Sequence, residues 1–315
     1  MSFLYFLEDL RNPVFDTFFS LITLFGEETL FMAVGMIIFW CINKYQGYYL
    51  LTTGFLGIVF NQFLKILCRV PRPWIKDPDF TIVESAREGA TGYSFPSGHT
   101  QTAVGLYGGI ARMPGKMWLR IGMIVLALLV GLSRMYLGVH TPADVLVSLA
   151  IATVLIFVIY PLFKKAEHCP RLMYAILLAQ LGIVVAYLCF VCLYSFPAEV
   201  YAEDSIDNLL HAQENAFTLL GCAVGIIAVY AVDSKWTKFD TKAVWWAQIL
   251  KVVGGLVLVI AVKALLKEPL NLLLGDYLGR AIRYFLMVVV GGMLWPMTFR
   301  FFPKSQKSEL KEISE

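Results

Sequence analysis

KILCRVPRP (65–73), TGYSFPSGHT (91–100) and SRMYLGVHTPAD (133–144) are three polar clusters, each standing at the end of a long apolar run. Together they carry two histidines, His99 and His140, one carboxylate, Asp144, and, among their cations, Lys65, Arg72 and Arg134. Apolar runs that approach the roughly 20 residues needed to cross a bilayer read as transmembrane helices. Charged residues at their ends then mark a functional site at the membrane boundary.

The residue types suit phosphate chemistry. The charged oxygens of a phosphate ester repel a nucleophile, and Lys65, Arg72 and Arg134 supply fixed positive charge to neutralise them. Lys65 and Arg72 are seven positions apart, but Pro71 and Pro73 end the helix between them, so Lys65 belongs to its last turns and Arg72 lies just beyond. Ser97 reads as an N-cap, so that Ser97, Gly98 and His99 present backbone N–H groups to an anion, with glycine allowing close approach. In HTPAD, Thr141 reads as the next N-cap and Pro142 as the first helical residue, which turns Asp144 back towards Nδ1 of His140. The tautomer so fixed leaves Nε2 free to attack phosphorus. His99 then protonates the leaving oxygen and later acts as base on the attacking water. Taken singly, each has a plainer reading: Lys65 as a snorkelling anchor, Asp144 as a capping partner of Thr141, His99 as a neighbour of the cap.

Joint occurrence at fixed spacing changes the weighing. The clusters resemble the signature of the type 2 phosphatidic acid phosphatases (PAP2), whose superfamily includes the vanadium haloperoxidases: K-x6-R-P, P-S-G-H and S-R-x5-H-x3-D, complete and in order. The resemblance implies that Lys65, Arg72, Ser97, Gly98 and Arg134 hold the phosphate. It implies equally that His140 is the nucleophile, oriented by Asp144, and that His99 is the acid/base. The family core covers residues 1–165, and residues 166–315 add helices outside the motifs.

Composition sets the class. With 58% hydrophobic residues, 16% charged residues and a mean hydropathy of +0.69, the chain reads as an all-α polytopic membrane protein. A net charge of +3 and the absence of a basic stripe argue against nucleic acid. Spans are expected at 28–42, 47–66, 98–112, 117–134, 143–163, 172–195, 214–232, 244–265 and 281–301. Residues 1–25 add a tenth span or an interfacial helix, and they lack the basic start and cleavage site of a signal peptide.

Loop charge orients the spans. Lys44; Arg112, Lys116 and Arg120; Lys164, Lys165 and Arg171; Lys235, Lys238 and Lys242; and Lys304, Lys307 and Lys311 fall on alternate connections, which the positive-inside rule makes cytoplasmic. The three clusters, and an acidic loop with Glu199, Glu203, Asp204 and Asp207, then face the other side. Lys263, Lys267, Arg280 and Arg283 near the last outside loop blur the asymmetry there. The polar loop 74–95 is placed to cap the site. Gly105 with Gly109, and Gly221 with Gly225, have G-x-x-x-G spacing for close helix packing.

The six cysteines suggest no redox or zinc site, since Cys189 and Cys192 form a C-x-x-C inside an apolar span. No cofactor or metal is expected, because lysine and arginine supply the positive charge. The expected activity is hydrolysis of a lipid phosphate or diphosphate at the extracytoplasmic face of a bacterial plasma membrane, through a phosphohistidine. The resemblance extends the substrate range to undecaprenyl diphosphate, phosphatidate, phosphatidylglycerophosphate and sphingoid-base phosphates. Phosphotransfer to another acceptor and headgroup binding without hydrolysis are the competing readings, and the second leaves the nucleophile with its orienting acid unexplained.

Overall fold

A computed structural model of the chain describes residues 1–201 and 203–303, all helices and connections with no strand among them. Lys304, Lys307 and Lys311, and the side chains of Glu199, Glu203 and Asp204, lie outside what is described. The chain forms two compact units. The first comprises Met1–Met32 and Tyr49–Pro161, the second Ala33–Tyr48 and Leu162–Glu315.

In the first unit, α1 (Ser2–Asp9) is followed by α2 (Pro13–Thr23), whose start is set by Asn12: its side-chain oxygen accepts from the N–H groups of Val14 and Phe15, with Pro13 at the first helical position. α3 starts at Glu28 after a short tight turn at Leu24–Gly26, and α2 and α3 form a pair bent by 50°. α4 (Lys44–Cys68) enters the first unit at Tyr49. It stops at Arg69, which takes the left-handed conformation (φ 50°) before Pro71. A one-turn helix, α5 (Pro73–Lys76), then leads into the 77–97 connection.

That connection is tied down along its length. Tyr5 donates to Asp77 (2.9 Å), Arg11 donates to the Thr81 carbonyl (2.9 Å), the Val83 N–H donates to Leu137 O (3.1 Å) and the Ser94 N–H to Val70 O (2.8 Å). Phe80 and Ile82 are buried together with Leu4.

α6 (Gly98–Ala103) begins at Ser97, whose hydroxyl accepts from the Thr100 N–H (3.4 Å). It runs through a π turn at Val104–Gly108 into α7 (Gly109–Arg112). The helical run 98–112, expected as a span, is present with those bounds, interrupted by the π turn and shorter than the roughly 20 residues of a straight crossing. α8 (Met117–Tyr136) ends at Gly138, whose positive φ (82°) and surroundings leave no room for a Cβ, which would meet Arg11 Nη2 at 2.7 Å. α9 (Pro142–Ala166) opens with reciprocal caps: Asp144 Oδ2 accepts from the Thr141 N–H (2.8 Å) and Thr141 Oγ1 from the Asp144 N–H (3.3 Å). Within 98–112 it is Gly108 and Gly109 that make close approaches, a Cβ on Gly109 falling 2.6 Å from Leu50, whereas Gly105 has ordinary spacing.

The second unit contains α10 (Pro170–Leu193), α11 (Glu203–Val232), α12 (Trp245–Leu265), α13 (Lys267–Val289) and α14 (Trp295–Met297). Gly221 and Gly225 seat α11 directly on α13, since a Cβ on Gly221 would fall 2.0 Å from Ala281 O. Two charges hold the 233–242 turn. Buried Asp233 pairs with Lys44 (2.7 Å), and buried Lys251 donates to the carbonyls of Asp240 (3.2 Å) and Thr241 (3.1 Å).

Seven helices of the described residues are long and apolar enough to cross a membrane, or eight with the bent α2–α3 pair counted as one span. The chain is an integral membrane protein. The difference from nine or ten arises from 98–112 and from the joining of the N-terminal helix to the next.

Candidate active site

The three clusters converge in the first unit. α4 delivers Lys65 three residues before its end, and the extended backbone at Arg72 carries that guanidinium into the protein, where it is 3% exposed. Arg72 donates from Nε to Gly92 O (3.0 Å), from Nη2 to Thr91 O (2.6 Å) and from Nη1 to Val139 O (2.9 Å). The same Nη1 lies 3.0 Å from His140 Nε2. Arg72 thus clasps the second and third clusters to the first.

This contact assigns the proton on His140. Arginine has N–H donors and no acceptor, so Nε2 receives the hydrogen bond through its lone pair and the ring proton resides on Nδ1. Nδ1 stands 3.4 Å from Asp144 Oδ2, an ion-pair distance longer than a well-formed hydrogen bond. Oδ2 is held by Ser94 Oγ (2.5 Å) and the Thr141 N–H (2.8 Å). Asp144 is accordingly a cap of α9 and a neighbour of His140 at once. Burial holds the His140 imidazole well below its ordinary pKa, Arg72 and Arg134 press the same way, and Asp144 opposes them, so the ring is neutral at neutral pH.

Arg134, on the last turn of α8, is 2% exposed. Its Nη1 donates to Thr23 Oγ1 (2.7 Å), while Nε and Nη2 are buried and meet no acceptor among the described residues. Buried guanidinium donors left unpaired are costly, and their edge matches two oxygens of a phosphate. Lys65 is within electrostatic reach of Arg72, Arg134, Asp144 and Glu28.

Ser97 and Gly98 start α6 beside Asn61, whose amide donates to Pro96 O (3.4 Å). The Ser97 N–H donates to Asp144 O (3.2 Å), so the expectation that it faces an anion does not hold; its geometry ties the second cluster to α9 instead. His99 Nε2 lies 3.1 Å from Glu27 Oε1.

Sequence reading missed Thr23, Glu27, Ser94 and the carbonyls of Thr91 and Gly92. The first two lie at the α2–α3 break, far along the chain from what they touch. Ser94, Thr91 and Gly92, all in the quoted TGYSFPSGHT, stood close enough to a motif to invite notice.

The PAP2 superfamily profile matches residues 45–168, and that described as the PAP2 superfamily phosphatase, transmembrane extension, matches 217–307. Among curated proteins, Undecaprenyl-diphosphatase BcrC of Bacillus subtilis is 29% identical over 156 residues, covering 48% of this chain and 76% of the relative. Phosphatidylglycerophosphatase B of B. subtilis is 34% identical over 117 residues, covering 33% of this chain and 55% of the relative. The solved structure of Aquifex aeolicus LpxE is similar over 50% of this chain and 92% of its own, at 25% identity and a TM-score of 0.43.

Proposed function

From the premise that the chain carries a PAP2 superfamily domain followed by the superfamily's transmembrane extension, and is a phosphoric ester hydrolase in a membrane, we propose that it cleaves a lipid phosphate or diphosphate through a phosphohistidine on His140. The observation that carries this reading is the hydrogen bond from Arg72 to Nε2 of a buried, neutral His140. A lone pair is held at Nε2, and the proton sits on the side of Asp144.

Phosphate enters against the unpaired Nε and Nη2 of Arg134, with Lys65, Gly98 and the start of α6 completing the cradle. As phosphate enters, the Nε2 lone pair gives up its hydrogen bond from Arg72 Nη1 and attacks phosphorus, and the bond from phosphorus to the leaving oxygen breaks. The oxygen keeps the electron pair and takes a proton from His99. Asp144 stabilises the imidazolium that forms on His140. Water then attacks phosphorus, gives its proton to His99, and the P–N bond breaks to release phosphate. No step of this scheme needs a metal.

The substrate class follows from placement. Polar groups at the ends of α4, α8 and at the starts of α6 and α9 let a headgroup reach the site while its hydrocarbon stays in lipid. An isoprenoid diphosphate or a related glycerolipid phosphate fits, in line with the diphosphatase and the phosphatidylglycerophosphatase among the relatives. The site faces the extracytoplasmic side, as the loop charges argue.

The test is phosphate release by detergent-purified protein in EDTA across lipid phosphates and diphosphates, beside His140→Ala. Release by the wild type alone is the expected result. Equal release by His140→Ala sinks the mechanism, and transfer of phosphate to a sugar acceptor without release makes the enzyme a phosphotransferase.

A further inference from the structure

We infer that Glu27 is the carboxylate partner of His99, a positioning residue that fixes the proton on Nε2 and leaves Nδ1 to exchange a proton with the leaving group and with water. This rests on the phosphatase reading above and adds to it a fourth cluster, Thr23–Gly26–Glu27, contributed by the break between α2 and α3.

The geometry is specific to that break. Glu27 Oε1 lies 3.1 Å from His99 Nε2. One residue earlier, a Cβ on Gly26 would fall 3.0 Å from both Cβ and O of His99 and 2.8 Å from Val130 Cγ1, so the absence of a side chain is what lets the break rest on His99. The same turn is pinned twice more, by Arg134 Nη1 to Thr23 Oγ1 (2.7 Å) and by the Tyr107 hydroxyl to Phe25 O (3.0 Å). Tyr107 belongs to the π turn that follows α6, a distortion often found at functional sites.

Charge gives the arrangement its purpose. Burial disfavours the His99 imidazolium, and Arg134 from α8, Lys65 from α4 and Arg72 beyond it press the same way. A general acid must nevertheless carry a proton when the leaving oxygen departs. Among the described residues, the carboxylate at hydrogen-bonding distance from His99 is Glu27. It accepts from Nε2–H in the neutral ring, and the pairing strengthens when Nδ1 gains its proton. Glu28, the next residue, acts with Lys65 instead. The two histidines thus have carboxylate partners of different exposure: the Asp144 side chain is 2% exposed, whereas that of Glu27 is 45% exposed.

The test uses the full-length protein in detergent. Glu27→Gln keeps the shape and removes the charge; turnover should fall about 10- to 100-fold with KM little changed, as for other outer partners of functional histidines. The alkaline limb of the kcat–pH profile should move to lower pH, and Glu27→Asp should recover most of both effects. In parallel, NMR titration of the His99 imidazole should show a lower midpoint in Glu27→Gln whether or not turnover is measured. An unmoved His99 midpoint, or an Asp variant no better than Gln, overturns the inference. Equal phosphate release by His140→Ala instead overturns the phosphohistidine mechanism, whereas an unmoved His99 midpoint overturns the pairing, so the two failures are distinguishable.

Discussion

At the scale of single residues, the site is a set of charges whose protonation is settled by their neighbours. His140→Ala should abolish turnover, and Asp144→Asn should lower it by on the order of 10³-fold, because the amide no longer holds the productive tautomer. Folding of Asp144→Asn should survive, since one side-chain oxygen can still accept from Thr141 N–H. The depressed proton affinity of buried His140 has two consequences. The nucleophile stays unprotonated below the ordinary histidine range, so the acidic limb of kcat/KM should fall at a pH lower than a free imidazole would give. Stability runs the other way: below the unfolded-state value near 6.5 the unfolded chain binds the proton that the folded chain refuses, so the unfolding midpoint should drop as pH falls from about 6.5. A midpoint unchanged between pH 7 and 5 in the wild type, or equal pH slopes in wild type and His140→Ala, would count against a buried neutral ring.

At the scale of elements, helix ends place the chemistry. α4 ends in a left-handed Arg69, α8 in Gly138, and α6 and α9 begin at Ser97 and Thr141. Arg69, like Lys238 in the second unit, holds a left-handed conformation that favours glycine, and Arg69→Gly should stabilise the fold by roughly 1 kcal/mol, read as a raised thermal midpoint. Gly26→Ala should do the opposite, by about 1–3 kcal/mol, because its Cβ meets His99 backbone and Val130. It should also cost turnover, since the displaced break carries Thr23 and Glu27. Wild-type turnover in Gly26→Ala would show that the α2–α3 break is not part of the site. The start of α9 shows how a plain reading and a functional one can both hold, as Asp144 caps the helix with one oxygen and faces His140 with the same one.

At the scale of the whole molecule, the issue is which side of the membrane the clusters occupy. In a cysteine-free background, Arg87→Cys in the 77–97 connection should react with an impermeant maleimide added to intact cells, and Lys238→Cys only after permeabilisation. The reverse pattern would place the site on the cytoplasmic face. The amino-acid sequence by itself determined the class, the all-helical fold, the three clusters and their order, because apolar run length, proline and cap residues, and fixed spacing within one turn are local properties. Only the tertiary structure decided which donors are already spent and which stand open. Arg72 is committed to carbonyls 19, 20 and 67 residues away along the chain, and Arg134 keeps two buried donors unpaired. Thr23 reaches Arg134 across 111 residues, Glu27 reaches His99 across 72, and Ser94 reaches Asp144 across 50. No periodicity or motif records such pairs, since they exist only once packing has brought distant segments within a hydrogen bond of one another. The 98–112 segment carries the same lesson: its helical extent is read from the sequence, whereas its π turn at Val104–Gly108 appears only in the packed structure.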